Sequence, residues 1–123
     1  MSTLAPCRVD WCAAARADDV PTVVIHAKVE TAPGAVDALR SAIATMESAS
    51  RAEAGCIEYA FASSLEDPST IRIVEHWQSM DALRAHFATP HMRAFNAAMR
   101  AHPPKSIDVK VYEVARELAL PTS

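Results

Sequence analysis

The sequence predicts an α+β domain of order βαββαβ, a ferredoxin-like four-stranded antiparallel sheet with its helices on one face. Three observations predict it. Four segments are rich in β-branched residues or alternate in polarity. Two stretches with apolar residues at helical spacing separate the first segment from the second and the third from the fourth. Turn residues stand at the junctions. At 123 residues, half of them hydrophobic, the chain suffices for one core and is too short for two.

Residues 1–20 show no clear period and read as an extension, with one helical turn near Ala13–Ala17. Pro21 closes them off, so the domain is placed at 21–115 and a short tail at 116–123. Thr22–Glu30 is β-branched and reads as the first strand. Pro33-Gly34 punctuates, and a helix follows from about Ala35 to Glu53 with Val36, Leu39, Ile43 and Met46 on its apolar stripe. Gly55 stands where a C-terminal glycine belongs. Cys56–Ser63 alternates, with Ile57, Tyr59 and Phe61 facing one way. Leu65–Ser69 is turn chemistry, so Thr70–Trp77 pairs back as a hairpin. On it Ile71, Ile73, Glu75 and Trp77 share one face, and Arg72, Val74 and His76 the other.

Ser79 is a good N-cap and Asp81 suits the positive end of a helix, which runs from Met80 to about Ala88. Thr89-Pro90 restarts it: Thr caps, and Pro takes the first position, where its missing N–H is no loss. The second segment, to about Ala101, carries Met92, Phe95 and Met99 inward. Pro103-Pro104 ends it, and Ser106–Val114 alternates as the last strand. Right-handed crossovers then put all helices on one sheet face. The other face, Val74 included, is left bare and is expected to be buried by a second copy, making a homodimer of the dimeric α+β barrel type.

A net charge of −3 with twelve scattered Lys and Arg argues against nucleic acid. No apolar run approaches the roughly 18 residues that would cross a bilayer, so no membrane partner is expected. Met1–Cys12 lacks a charged-then-apolar leader pattern, so a cytoplasmic location is expected. Cys7, Cys12 and Cys56 form no zinc-like pair and read as reduced thiols. Two glycines cannot build a phosphate-cradling loop or a dinucleotide fingerprint, so no nicotinamide or flavin cofactor is expected. A redox substrate would have to supply its own electrons.

Chemistry concentrates in the run Glu75 to Phe95. Trp77 reads as a core Trp or as the wall of a planar-ligand pocket between sheet and helices. His86 and His91 are five apart, about 140° on an unbroken helix, but the break at Thr89-Pro90 lets both rings approach the sheet. Either could take a phenolic proton near neutral pH, or serve as a packing residue. His26 on the first strand is a further candidate contact; His76 points to the bare face, and His102 reads as solvated. Glu75 and His76 point to opposite faces, so the one 2-His-1-carboxylate set left is Glu75 with His86 and His91. No resident metal is expected.

Pro33-Gly34, Gly55-Cys56, Glu75-x-Trp77, Leu83-x-x-His86 and Thr89-Pro90-His91 together resemble the antibiotic-biosynthesis monooxygenase family, nearest its small quinol monooxygenases, over about Thr22–Val114. The resemblance implies a dimer of ferredoxin-like units, each with a pocket between sheet and helices. It also implies oxidation of hydroxy- or dihydroxy-aromatic molecules by O2 without metal, haem or flavin. Carried over, Trp77 lines the pocket, His86 is the base and His91 assists; Glu75 lies beside them, and Tyr59, Phe87 and Phe95 are apolar walls. The polyketide-tailoring members carry Asn and Tyr where this chain has Ile73 and Leu83. The haem-degrading members carry Trp and His where it has His86 and Asn96. Neither specialised mechanism transfers. The family also holds a sugar-phosphate isomerase, so two alternatives stand beside the oxygenase. One is proton transfer on a small phosphorylated metabolite, with Arg84 or Arg93 as its cation, and the other is a dimeric ligand-binding module without efficient chemistry.

Overall fold

Strand β1 (Thr22–Glu30) alternates as its sequence requires: Val23, Ile25, Ala27 and Val29 are buried, and His26 is exposed on the opposite face. It is one of the two central strands of a four-stranded sheet in the computed structural model, which describes residues 20–122. The helical turn expected near Ala13–Ala17, and Cys7 and Cys12, lie outside the described residues. Helix α1 (Ala35–Arg51) follows, then β2 (Cys56–Ser63), β3 (Thr70–Trp77), α2 (Met80–Phe87), α3 (Pro90–Ala101) and β4 (Ser106–Val114). The order across the sheet is β2-β3-β1-β4, every pair antiparallel. This is the ferredoxin-like βαββαβ arrangement.

The core lies between the sheet and the helices. Val23, Ile25, Met46, Tyr59, Trp77 and Leu83 form it, with Met92 and Phe95 of α3 packed against its edge. On α1 the buried stripe is Ala35, Leu39, Met46 and Ser50, while Val36 and Ile43 are only half buried. β2 is an edge strand, and α1 covers its free backbone: Phe61 N–H donates to Glu47 Oε2 (2.7 Å) and Arg51 Nε donates to Tyr59 O (2.8 Å). Edge strands so covered cannot add a further strand. Among the described residues, the other edge, β4, has no such cover. Its helix-side residues Ile107, Val109 and Val111 are 55%, 53% and 49% exposed.

Two local expectations need correction. Ile57 does not share the face of Tyr59 and Phe61, because a register shift between Cys56 and Glu58 inserts one extra residue against β3. Cys56 packs on the core in its place, and Ile57 is exposed. Helix α1 ends at Arg51, with Ala52 as its C-cap in the right-handed region. Gly55 is therefore not that helix's terminating glycine; it belongs to the turn into β2. No helix among the described residues is long and apolar enough to cross a membrane.

Candidate active site

Gly55 fixes the geometry from which the site is built. Its φ is +85°, and a Cβ there would stand 2.7 Å from the Ala82 Cβ. The turn Ala52–Gly55 therefore lies directly against α2, an approach that only glycine permits. Gln78 N–H donates to Gly55 O at 2.8 Å and ties the end of β3 to the same turn. This closeness brings Glu53 to the α2–α3 junction.

The junction is built by its two caps. Ser79 Oγ accepts from Ala82 N–H at the start of α2, and Thr89 Oγ1 accepts from Met92 N–H at the start of α3. The Thr89 hydroxyl also donates to His86 O at 2.7 Å, so one side chain closes the first helix and opens the second. The resulting bend brings the His86 and His91 rings together, with centroids 6.0 Å apart. Both meet Glu53: Oε2 lies 2.7 Å from His86 Nδ1 and 2.6 Å from His91 Nε2. An ionised carboxylate only accepts, so both imidazoles donate to it. A neutral His86 then carries its lone pair on Nε2. That atom is buried and has no hydrogen-bond partner among the described residues. Trp77 lies against the His86 ring at 4.8 Å, and Tyr59 at 5.4 Å.

Glu75 is buried one step nearer the sheet, and its Oε1 accepts from Trp77 Nε1 at 2.9 Å. Burial pushes its carboxyl above the ordinary carboxylate range and the Glu53 charge adds to this, against the Trp77 hydrogen bond and the His86 charge. Burial likewise pushes the Tyr59 phenol up, with the Glu75 charge next in weight. The Cys56 thiol is raised by burial and by the charges of Glu53 and Glu75, so it is no activated nucleophile.

Glu75 and Tyr59 look into a cavity of about 240 Å³ between sheet and helices, walled by apolar side chains that include Ile25, Phe61, Ile73 and Met99. Phe87 and Phe95 stand on the helix side, Asn96 offers an amide, and Ile107 and Val109 of the edge strand β4 complete the wall. A larger groove of about 800 Å³ lies at the end of the sheet, where Val24 and His76 meet residues 20–22 and 113–117.

The structure thus places Glu75, Tyr59, Phe87 and Phe95 on the cavity wall. Trp77, His86 and His91 are not on it; they form the layer behind, with Trp77 and His86 fully buried. Trp77 orients Glu75 rather than facing the cavity. His26 is not brought to the site: strand parity turns it to the open face, where its ring meets Tyr112 at 5.9 Å. The one 2-His-1-carboxylate combination that the sequence left open, Glu75 with His86 and His91, does not assemble, because both histidines converge on Glu53. Sequence reasoning missed Glu53, although a signal existed: an acidic group just past a helix C-terminus faces the negative end of the helix and needs compensating partners.

A family model described as "Antibiotic biosynthesis monooxygenase" matches residues 22–98. A solved protein of Mycobacterium tuberculosis is 26% identical, with 80% of this chain and 99% of that one covered and a TM-score of 0.71. One from Pseudomonas aeruginosa is 25% identical over 78% of this chain and 96% of its own, TM-score 0.71. A Deinococcus radiodurans protein, described as a candidate antibiotic biosynthesis monooxygenase, is 23% identical over 81% and 99%, TM-score 0.74; that likeness speaks to the fold alone. No curated protein matches the chain by sequence.

Proposed function

This chain belongs to the antibiotic biosynthesis monooxygenase family, and from that premise we propose that it oxidises a quinol or hydroxy-aromatic small molecule with O2, without a cofactor. One observation carries the reading: an apolar cavity whose wall holds a single buried carboxyl, Glu75, backed by the His86 imidazole with an unpartnered Nε2. The cavity is smaller than the roughly 300–1,000 Å³ typical of drug-sized ligand sites, which suits a molecule of one or two rings. Its aromatic walls fit a flat ring, and Glu75 fits a ring hydroxyl.

The base is His86, held in one tautomer by Glu53; Glu75 is the group that meets the substrate hydroxyl, and the proton passes inward when its carboxyl turns from Trp77 Nε1 toward the unpartnered His86 Nε2. Loss of that proton leaves an electron-rich anion. One electron moves to O2, and the radical pair recombines at a ring C–H carbon to give a hydroperoxide; loss of that C–H proton breaks the O–O bond, so one oxygen atom stays as a new carbonyl and the other leaves as water. For a quinol, two electrons and two protons passing to O2 give quinone and hydrogen peroxide instead. Among the described residues, the alternative on a phosphorylated metabolite finds no cation on the cavity wall. Arg84 pairs with exposed Asp81 at 2.6 Å, Arg93 donates to Ala88 O at 3.1 Å, and neither lines the cavity.

A second copy belongs on the open sheet face. Val24, Ala60 and Val74 lie there half buried, and His76 Nε2 is buried without a hydrogen-bond partner among the described residues. The test of function is oxygen uptake by chelator-treated protein with a reduced naphthoquinol, corrected for autoxidation. Uptake that scales with protein and falls about 100-fold or more in His86→Ala supports general-base catalysis. A rate equal to autoxidation sinks the reading.

A further inference from the structure

We propose that Glu53, His86 and His91 form a binding site for one divalent transition-metal ion of the zinc class. The proposal goes beyond the oxygenase reading, which uses no metal. The three residues come from separate elements, the turn after α1, α2 and the first turn of α3, and offer one ligand atom each, all within 4.8 Å of one another. Two imidazoles with one carboxylate select zinc, copper, nickel or iron over the oxygen-seeking magnesium and calcium.

The rings are already held for the purpose. Thr89 fixes the junction by its hydrogen bond to His86 O, and the Trp77 ring backs the His86 imidazole. His86 is fully buried, while the side chains of His91 and Glu53 are 18% and 13% exposed, so an ion enters from their side and water fills its open position. Metal–ligand bonds of about 2.0–2.1 Å at tetrahedral angles put neighbouring ligand atoms roughly 3.3 Å apart. The hydrogen-bonded separations of 2.6 and 2.7 Å therefore open by about 0.6–0.7 Å. The ion replaces two N–H···O bonds to Glu53, and each neutral imidazole keeps its proton on the other nitrogen. His86 Nε2 then becomes a donor, so an occupied site withdraws the lone pair that the proposed oxygenase base uses.

The test is Co2+ and Zn2+ titration of the chelator-treated full chain, read by the visible ligand-field absorption of Co2+ and by zinc competition against a chromophoric chelator. One ion per chain is expected. Affinity is expected to fall at least about 100-fold in His91→Ala and in Glu53→Gln, the upper end of what losing an outer-shell partner alone costs. His102→Ala, at an exposed histidine outside the cluster, leaves binding unchanged. Thermal unfolding of each variant without metal separates lost binding from lost folding, and Glu53→Gln keeps the shape and an acceptor if His91→Ala is unstable. No uptake of either ion, or binding that survives both variants, overturns the proposal. Since these readouts need no turnover, a negative oxygen assay leaves them intact, and absent metal binding leaves the oxygenase reading intact.

Discussion

Glu53→Ala tests whether the site is held together by one carboxylate. The substitution removes the acceptor for two hydrogen bonds, at 2.7 Å to His86 Nδ1 and 2.6 Å to His91 Nε2. Hydrogen bonds to a charged group contribute about 1.5–3 kcal/mol each, so the pair gives about 3–6 kcal/mol. His91 and Glu53 are partly reached by water, which favours the lower half, about 3–4 kcal/mol. His86 cannot recover the loss from solvent, since it is fully buried. For a domain of this size about 4 °C or more of Tm goes with each kcal/mol, so Tm is expected to drop by about 12 °C or more. Urea unfolding reads the free energy directly, with the midpoint shifting and the slope unchanged. A double-mutant cycle with His91→Ala should give a coupling of about 1–2 kcal/mol, as contacting residues in one network do. A Glu53→Ala loss below about 1 kcal/mol with no coupling to His91 refutes the convergence on Glu53.

Other substitutions probe the wall, the turn and the open face. Glu75→Gln keeps an acceptor for Trp77 Nε1 but removes a carboxyl raised by burial from its ordinary 4.5. Because the folded state holds that proton to higher pH than the unfolded chain, stability falls as pH climbs from the unfolded value through the folded one. The loss is about 1.4 kcal/mol for each pH unit that separates the two. The variant should show a flatter stability–pH curve and a higher Tm at pH 8, with oxygen uptake at least about 100-fold lower; an unchanged curve contradicts the burial argument. Gly55→Ala meets both a left-handed backbone, about 1–2 kcal/mol, and a 2.7 Å contact with Ala82 that adds about 1–3 kcal/mol of overpacking. Gly34→Ala, at φ +81° with nothing within 4 Å, meets the backbone cost alone. Denaturation that ranks the two equally removes the close approach from the account. Val74→Arg puts a charge in the middle of the open face and should turn a dimer into a monomer in sedimentation; a wild-type chain that is already monomeric ends that proposal.

The strands and helices were readable because each rests on short-range chemistry. Alternation in Thr22–Glu30, the Ser79 cap and the Thr89-Pro90 restart need only neighbours a few residues away, and all stand where the pattern puts them. The same alternation already decides His26: with Val23, Ile25, Ala27 and Val29 inward, strand parity sends it outward, whatever chemistry an imidazole offers. Ile57 escaped because a bulge is a mismatch between two strands and leaves no period in one of them. Glu53 is the deeper case. Its partners are 33 and 38 residues away, and nothing in its own neighbourhood names them. Two misfits nonetheless mark the position: a carboxylate beside the negative end of α1, and, two residues on, a glycine that does not end that helix. Each is unfavourable or idle if the turn is merely a surface connection. Both make sense once α2 lies close enough to demand Gly55 and its two helix-borne imidazoles compensate Glu53. Local rules therefore locate the elements, and the places where they fail together locate the contact that builds the site.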